Sequence, residues 1–170
     1  MIHTLSVLVE NKPGALVRVA QMFARRGYNI ESLAVGPTER HDVSRITLRV
    51  DCAQHSLDQI EKQMHKLVNV LRVRELEPGE SVERELAMIT VTAPPDRRAE
   101  LLALADAFRA RVADVGPDAI LFEVVGEPQE LDSFEELVRS HGIREMARTG
   151  RIGLARSSAR RAPRPQHVLR

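Results

Sequence analysis

Tryptophan is absent from this chain of 170 residues, and one tyrosine with four phenylalanines holds the aromatic share to 3%. A core must therefore be packed mainly from Leu, Val, Ile and Ala, within an apolar fraction of 43%. Base stacking on aromatic platforms has almost no material to work with, so no nucleic-acid partner is expected. Cys52 is the single cysteine. It rules out an intrachain disulfide and suits a reducing compartment. No stretch approaches the ~18 continuous apolar residues of a membrane helix, and the N-terminus enters a strand directly in place of a basic and apolar leader. The expected setting is cytoplasmic, with no membrane partner.

Catalytic constellations are missing too. The histidines at 3, 41, 55, 65, 141 and 167 are scattered, without HExxH or CxxC spacing. Ser6, Ser32 and Ser44 sit in no GxSxG elbow. Gly36 is followed by Pro37 and Thr38, not by Gly-Lys-Ser, and Gly150 to Gly153 lacks the GxGxxG cradle. The paired carboxylates Glu83/Glu85 and Glu135/Glu136 read as charged surface on a linker and on the wet side of a helix. No catalytic, metal or cofactor residues are expected in this chain.

Charge is unevenly placed. Residues 151 to 170 hold six of the 25 Lys and Arg side chains and no acid, which leaves 19 basic against 24 acidic in the rest, a balance of −5. The body is mildly acidic, and the segment from 157 to 170, with "SSARRAPRPQ", reads as a disordered basic tail.

What is present is one layout written twice. "TLSVLVE" alternates as a strand, and Leu16, Val19, Ala20 and Phe23 mark a helix that ends at Gly27. "NIESLAVGP" and "SRITLRV" form a hairpin with one wet face. A helix with Leu57, Ile60, Met64 and Leu67 follows, then the strand "VLRVREL". "EPGESVERE", residues 77 to 85, has linker composition. After it come "LAMITVTAP", a helix with Leu101, Leu104, Ala105 and Phe108, two strands around Gly116-Pro117-Asp118, a helix with Leu131, Phe134, Leu137 and Val138, and "GIREMARTG". The fold class is α+β, with two tandem ferredoxin-like βαββαβ domains, 1–77 and 78–156. Such sheets leave one face without helices, and Leu8, Leu33 and Val35 cannot all be buried. A homodimer through sheet edges or sheet faces is expected.

The loop chemistry differs between the copies. The first has Asn11-Lys12-Pro13-Gly14, the second Ala93-Pro94-Pro95-Asp96. Gly14 lets a backbone approach a ligand, and the open N–H groups of the next helix turn attract a carboxylate. Asn11 either caps that helix or meets the ligand. Asn29 is either a turn residue or a second neutral contact. Nothing there acts as a base, so the set suits recognition and not conversion.

"LSVLVENKPGALVRVAQMFARRGYNIESLAVGPTE", "DVSRITLRV", "VERELAMITV", "ADVGPDAILFEVVG" and "GIREMARTGRIGLAR" together resemble the regulatory (small) subunit of acetolactate synthase over residues 2 to 156. The resemblance implies that the first domain is an ACT domain, which binds effector, dimerises and activates the partner. It also implies a separate catalytic (large) subunit carrying thiamine diphosphate, Mg²⁺ and FAD, and feedback inhibition by valine or another branched-chain amino acid. The implied effector residues are Asn11, Lys12, Pro13, Gly14 and Ala15 of one chain with Asn29 and Ile30 of the other. A free-standing ACT-type amino-acid sensor regulating a different partner is the alternative.

Overall fold

A computed structural model describes residues 2–53 and 55–158. The first unit runs β1 (Ile2–Glu10), α1 (Ala15–Arg26), β2 (Asn29–Pro37), β3 (Val43–Asp51), α2 (Leu57–Met64) and β4 (Val70–Glu75). Its four strands pair antiparallel in the order β2-β3-β1-β4, because each helix carries the chain past a neighbouring strand. Alternation then sorts the side chains. Leu5, Val7 and Val9 of β1 and Ile46, Leu48 and Val50 of β3 face the helices and are buried against Val19, Phe23, Ile60 and Met64. Thr4, Ser6 and Leu8 share the open face with Arg45, Thr47 and Arg49.

The buried stripe of α1 is Ala15, Val19, Met22 and Phe23, whereas Leu16 and Ala20, expected inside, are exposed. The apolar surface of this helix is wider than one sheet covers, so a second flank remains in solvent. Likewise Leu33 and Val35 lie opposite Leu48 and Ile46, on the helix side of β2, yet are 37% and 47% exposed. Edge strand β2 reaches beyond the helices.

The second unit runs β5 (Ser81–Thr92), a 3-10 turn (Pro95–Arg97), α3 (Arg98–Ala107), β6 (Arg111–Val115), β7 (Ala119–Gly126), α4 (Pro128–Arg139) and β8 (Ile143–Arg148). The order β6-β7-β5-β8 repeats that of the first sheet. Its core joins Ile89 and Phe122 to Leu101, Leu131, Phe134 and Val138, with the Phe122 and Phe134 rings edge to face at 5.8 Å. Leu137, expected inside, is exposed.

Two sequence expectations are corrected here. The linker is shorter than residues 77 to 85, since β5 begins at Ser81. The extra length exists because a further strand, β9 (Ile152–Ala155), pairs with it from Ser81↔Ala155 to Arg84↔Ile152. Glu85 is not surface charge either. It is 7% exposed and receives both Nε and Nη2 of Arg148, at 3.0 and 2.9 Å. The β5–β9 ribbon lies against the first unit: a Cβ on Gly153 would stand 2.6 Å from Leu76 Cδ1, and one on Gly150 would stand 3.3 Å from Ser32 Cβ. The Arg156 amide closes the ribbon on the Glu80 carbonyl at 2.8 Å. Ser157 and Ser158 form a turn, and the rest of the expected disordered tail lies outside the described residues. No helix among the described residues is long and apolar enough to cross a membrane.

Candidate functional site

The loop after β1 is fixed by hydrogen bonds to its neighbours. The Asn11 amide N–H donates to Asp42 O at 2.8 Å, and its side-chain Nδ2 donates to His41 O at 3.0 Å. The 38–42 turn that presents those carbonyls is held by Arg40 on Asp42, at 2.7 Å, which keeps the Asp42 carboxyl below its ordinary range. Glu10 is held from the other side by Asn69 at 2.7 Å and Lys12 at 3.2 Å, and those two hydrogen bonds lower its carboxyl as well. Asn11 is therefore not the helix cap. That position belongs to Gly14, at φ +84°, and no side chain caps α1. Pro13 supplies no N–H, Ala15 donates to Lys12 O at 3.2 Å, and the Leu16 and Val17 amides lie in the first turn, where a helix offers no partner. This end carries a partial positive charge and no acidic side chain.

The second half of the candidate set is elsewhere. Gly27 ends α1, its amide on Ala24 O, and Tyr28 packs edge to face on Phe23 and His55. Asn29 opens β2 and is exposed, while Ile30 leans on the first core. Glu10 lies opposite Val43 and Asn29 opposite Asp51, so the two groups stand at opposite ends of β3. Eight residues of strand separate them by ~27 Å. Asn11, Lys12, Pro13, Gly14 and Ala15 come together, Asn29 and Ile30 come together, and one chain does not unite the two sets.

Between the units lies a polar cleft of about 410 Å³, lined by Ser32 and Arg49 on one side and Glu85, Arg148 and Thr149 on the other. Arg148 also meets Asp132 at 2.6 Å, and these carboxylates, Glu85 first, hold its guanidinium even more firmly protonated than usual. Arg151 pairs with Glu83 at 3.2 Å. Three carboxylates against two guanidiniums leave the second unit's wall slightly acidic, facing Arg49 of the first, and make this a joint between the units. Sequence spacing did not mark it, because Glu85 and Arg148 are 63 residues apart. Among the described residues no three His, Cys, Asp or Glu side chains gather as a metal site would need.

Residues 5–72 match the family described as AHAS small subunit-like ACT domain, and residues 84–157 match the family described as small subunit of acetolactate synthase. A probable acetolactate synthase small subunit of Archaeoglobus fulgidus is 48% identical over 158 residues, covering 93% of this chain and 99% of that one. An acetolactate synthase small subunit of Mycolicibacterium smegmatis is 46% identical over 154 residues, 91% of each chain. The crystal structure of the acetolactate synthase small subunit from Thermotoga maritima matches with a TM-score of 0.84 at 37% identity, over 92% of this chain and 98% of that one. Fold and loop chemistry thus define an ACT-domain regulatory protein. The chain belongs to the acetolactate synthase small-subunit family.

Proposed function

We propose that this chain works in the cytoplasm as a homodimeric regulatory subunit: it pairs with the acetolactate synthase catalytic subunit, raises its activity and makes it sensitive to valine or another branched-chain amino acid. Thiamine diphosphate, Mg²⁺ and FAD belong to that partner in this reading. The observation that carries the effector site is the placement of the Asn11 loop and Asn29 at opposite ends of β3. An amino acid cannot bridge ~27 Å of strand within one chain, but two chains remove the distance. An antiparallel pairing of two β2 edges about Leu33 sets Asn29 beside the partner's Pro37. Pro37 pairs with Ser44, at the end of the sheet where the Asn11 loop stands. The exposed Leu33, Val35, Leu16 and Ala20 supply apolar area for that pairing, up to ~1.5–3 kcal/mol for each large side chain fully covered. Stacking the open sheet faces would instead oppose arginines to arginines.

In such a site the effector's carboxylate takes the open amides at the start of α1, and its ammonium takes carbonyl oxygens. Its branched side chain meets Ile30 and Leu16. Valine, leucine and isoleucine differ by single methyl or methylene groups, ~0.8 kcal/mol each, so selectivity among them is modest. Inhibition follows only from a difference in effector affinity between active and inactive assemblies. Turnover of the catalytic subunit, measured with and without this chain and with and without valine, tests the reading. Stimulation that valine reverses is expected. Valine binding without any effect on turnover would instead identify the free-standing sensor.

A further inference from the structure

We infer that the open face of the first sheet, on its β1–β4 side, docks an acidic patch of the catalytic subunit; the partner's identity rests on the regulatory reading above. Register puts Arg45 and Arg49 of β3 and Arg72 and Arg74 of β4 on this one face, with Leu8 between Arg45 and Arg72 and Ser6 beside Arg74. Two strand spacings set Arg45 and Arg72 ~10 Å apart at the backbone. Arg45 Nη1 donates to Ser6 Oγ at 2.6 Å. Arg49, Arg72 and Arg74 have no ion pair or side-chain hydrogen bond to any described residue.

The second unit treats its arginines differently. Arg144 pairs with Asp118 at 2.8 Å, Arg148 with Glu85 and Asp132, and Arg151 with Glu83. Arg49 borders the cleft opposite Glu85 and Arg45 borders the ribbon, which leaves Arg72 and Arg74 as neighbouring like charges on the uncovered side, a local cost unless a complementary surface arrives. Guanidinium groups in a fixed array suit carboxylates, which they grip bidentately.

Sign and composition narrow the occupant. The chain's own C-terminal segment carries arginine and no acid, and a second copy offering the same face would repel. No aromatic residue lies on this face, so a single-stranded nucleic acid finds no stacking platform. The ribbon lies over the β2 and β3 side, where Ala34, Arg45 and Thr47 line a pocket with it, and reaches Leu76 just past the end of β4; β2 is the edge assigned to the dimer. Arg72, Arg74 and Leu8 at the far side stay available to a third chain.

The test uses the full chain with the catalytic subunit, measuring association and stimulation across a range of NaCl concentrations. For the wild type, association weakens steeply with salt. Arg72→Glu/Arg74→Glu should weaken it about tenfold or more at low salt and flatten the salt dependence, while Arg72→Lys/Arg74→Lys keeps most of both. Valine binding by the dimer should be unchanged, and Arg72→Ala/Arg74→Ala replaces the reversal if that variant misfolds. Association within twofold of wild type for the reversed or neutralised variant overturns the docking face and leaves the regulatory reading standing. Loss of binding to heparin or RNA, with catalytic association intact, overturns it in favour of a polyanion. A wild-type chain that neither binds nor stimulates the catalytic subunit overturns the regulatory reading itself.

Discussion

Gly14 is where backbone geometry and the proposed effector site meet. Its φ of +84° is a conformation that costs an L-residue ~1–2 kcal/mol, although open space surrounds the position a Cβ would take. Gly14→Ala should therefore lose about that much stability in thermal unfolding and retain effector binding. Gly14→Asp adds a negative charge where the proposed site would hold the effector's carboxylate. Calorimetric titration should show valine affinity reduced at least about tenfold, as expected for a like charge at a helix start. Cys52 makes a separate prediction. Burial pushes its thiol above the ordinary range, so little thiolate exists near neutral pH. Reaction with a maleimide should be slow in the native chain and accelerate on unfolding. That Asn11 to Ala15 form one loop was legible in the sequence, because a strand end running into Pro-Gly is a local signal. The role of Asn11 was not: whether it caps the helix depends on His41 and Asp42, thirty residues away. Glu85 read as linker charge for the same reason, its partner being Arg148.

At the level of elements, periodicity located both βαββαβ repeats, since alternation and the 3.6-residue stripe are short-range signals. It gave no account of the β5–β9 ribbon. Ile152–Ala155 is only four residues long, and a strand of that length is specified by its partner, Ser81–Arg84, and not by its own pattern. The ribbon explains why Gly153 and Leu76 fit together. Gly153→Val forces a side chain into Leu76, which is 4% exposed, and should destabilise by ~1–3 kcal/mol in chemical denaturation. Truncation after Ser158 should leave stability unchanged. Truncation after Ala155 removes the Arg156 amide and its Nε, which hold Glu80 and Gly79 at 2.8 and 3.0 Å, and should lower the melting temperature measurably. Removing everything from residue 78 strips the ribbon from the first sheet as well, so such a fragment tests more than the second domain's influence on regulation.

For the whole molecule, the exposed apolar residues of β2 and α1 and the separated half-sites point to the same assembly. Leu33→Glu or Val35→Glu should shift sedimentation toward monomer and weaken valine binding together, because in the proposed dimer the interface completes the site. Subunit complementation tests that claim most directly. Asn11→Ala and Asn29→Ala chains should each bind valine poorly alone. After denaturation and refolding together in equal amounts, about a quarter of the sites should recover wild-type affinity, since half of the dimers are mixed and each mixed dimer holds one intact site. If titration of the refolded mixture shows no recovered sites, although each parent folds and dimerises, the two asparagines do not meet across a subunit boundary and the account is wrong.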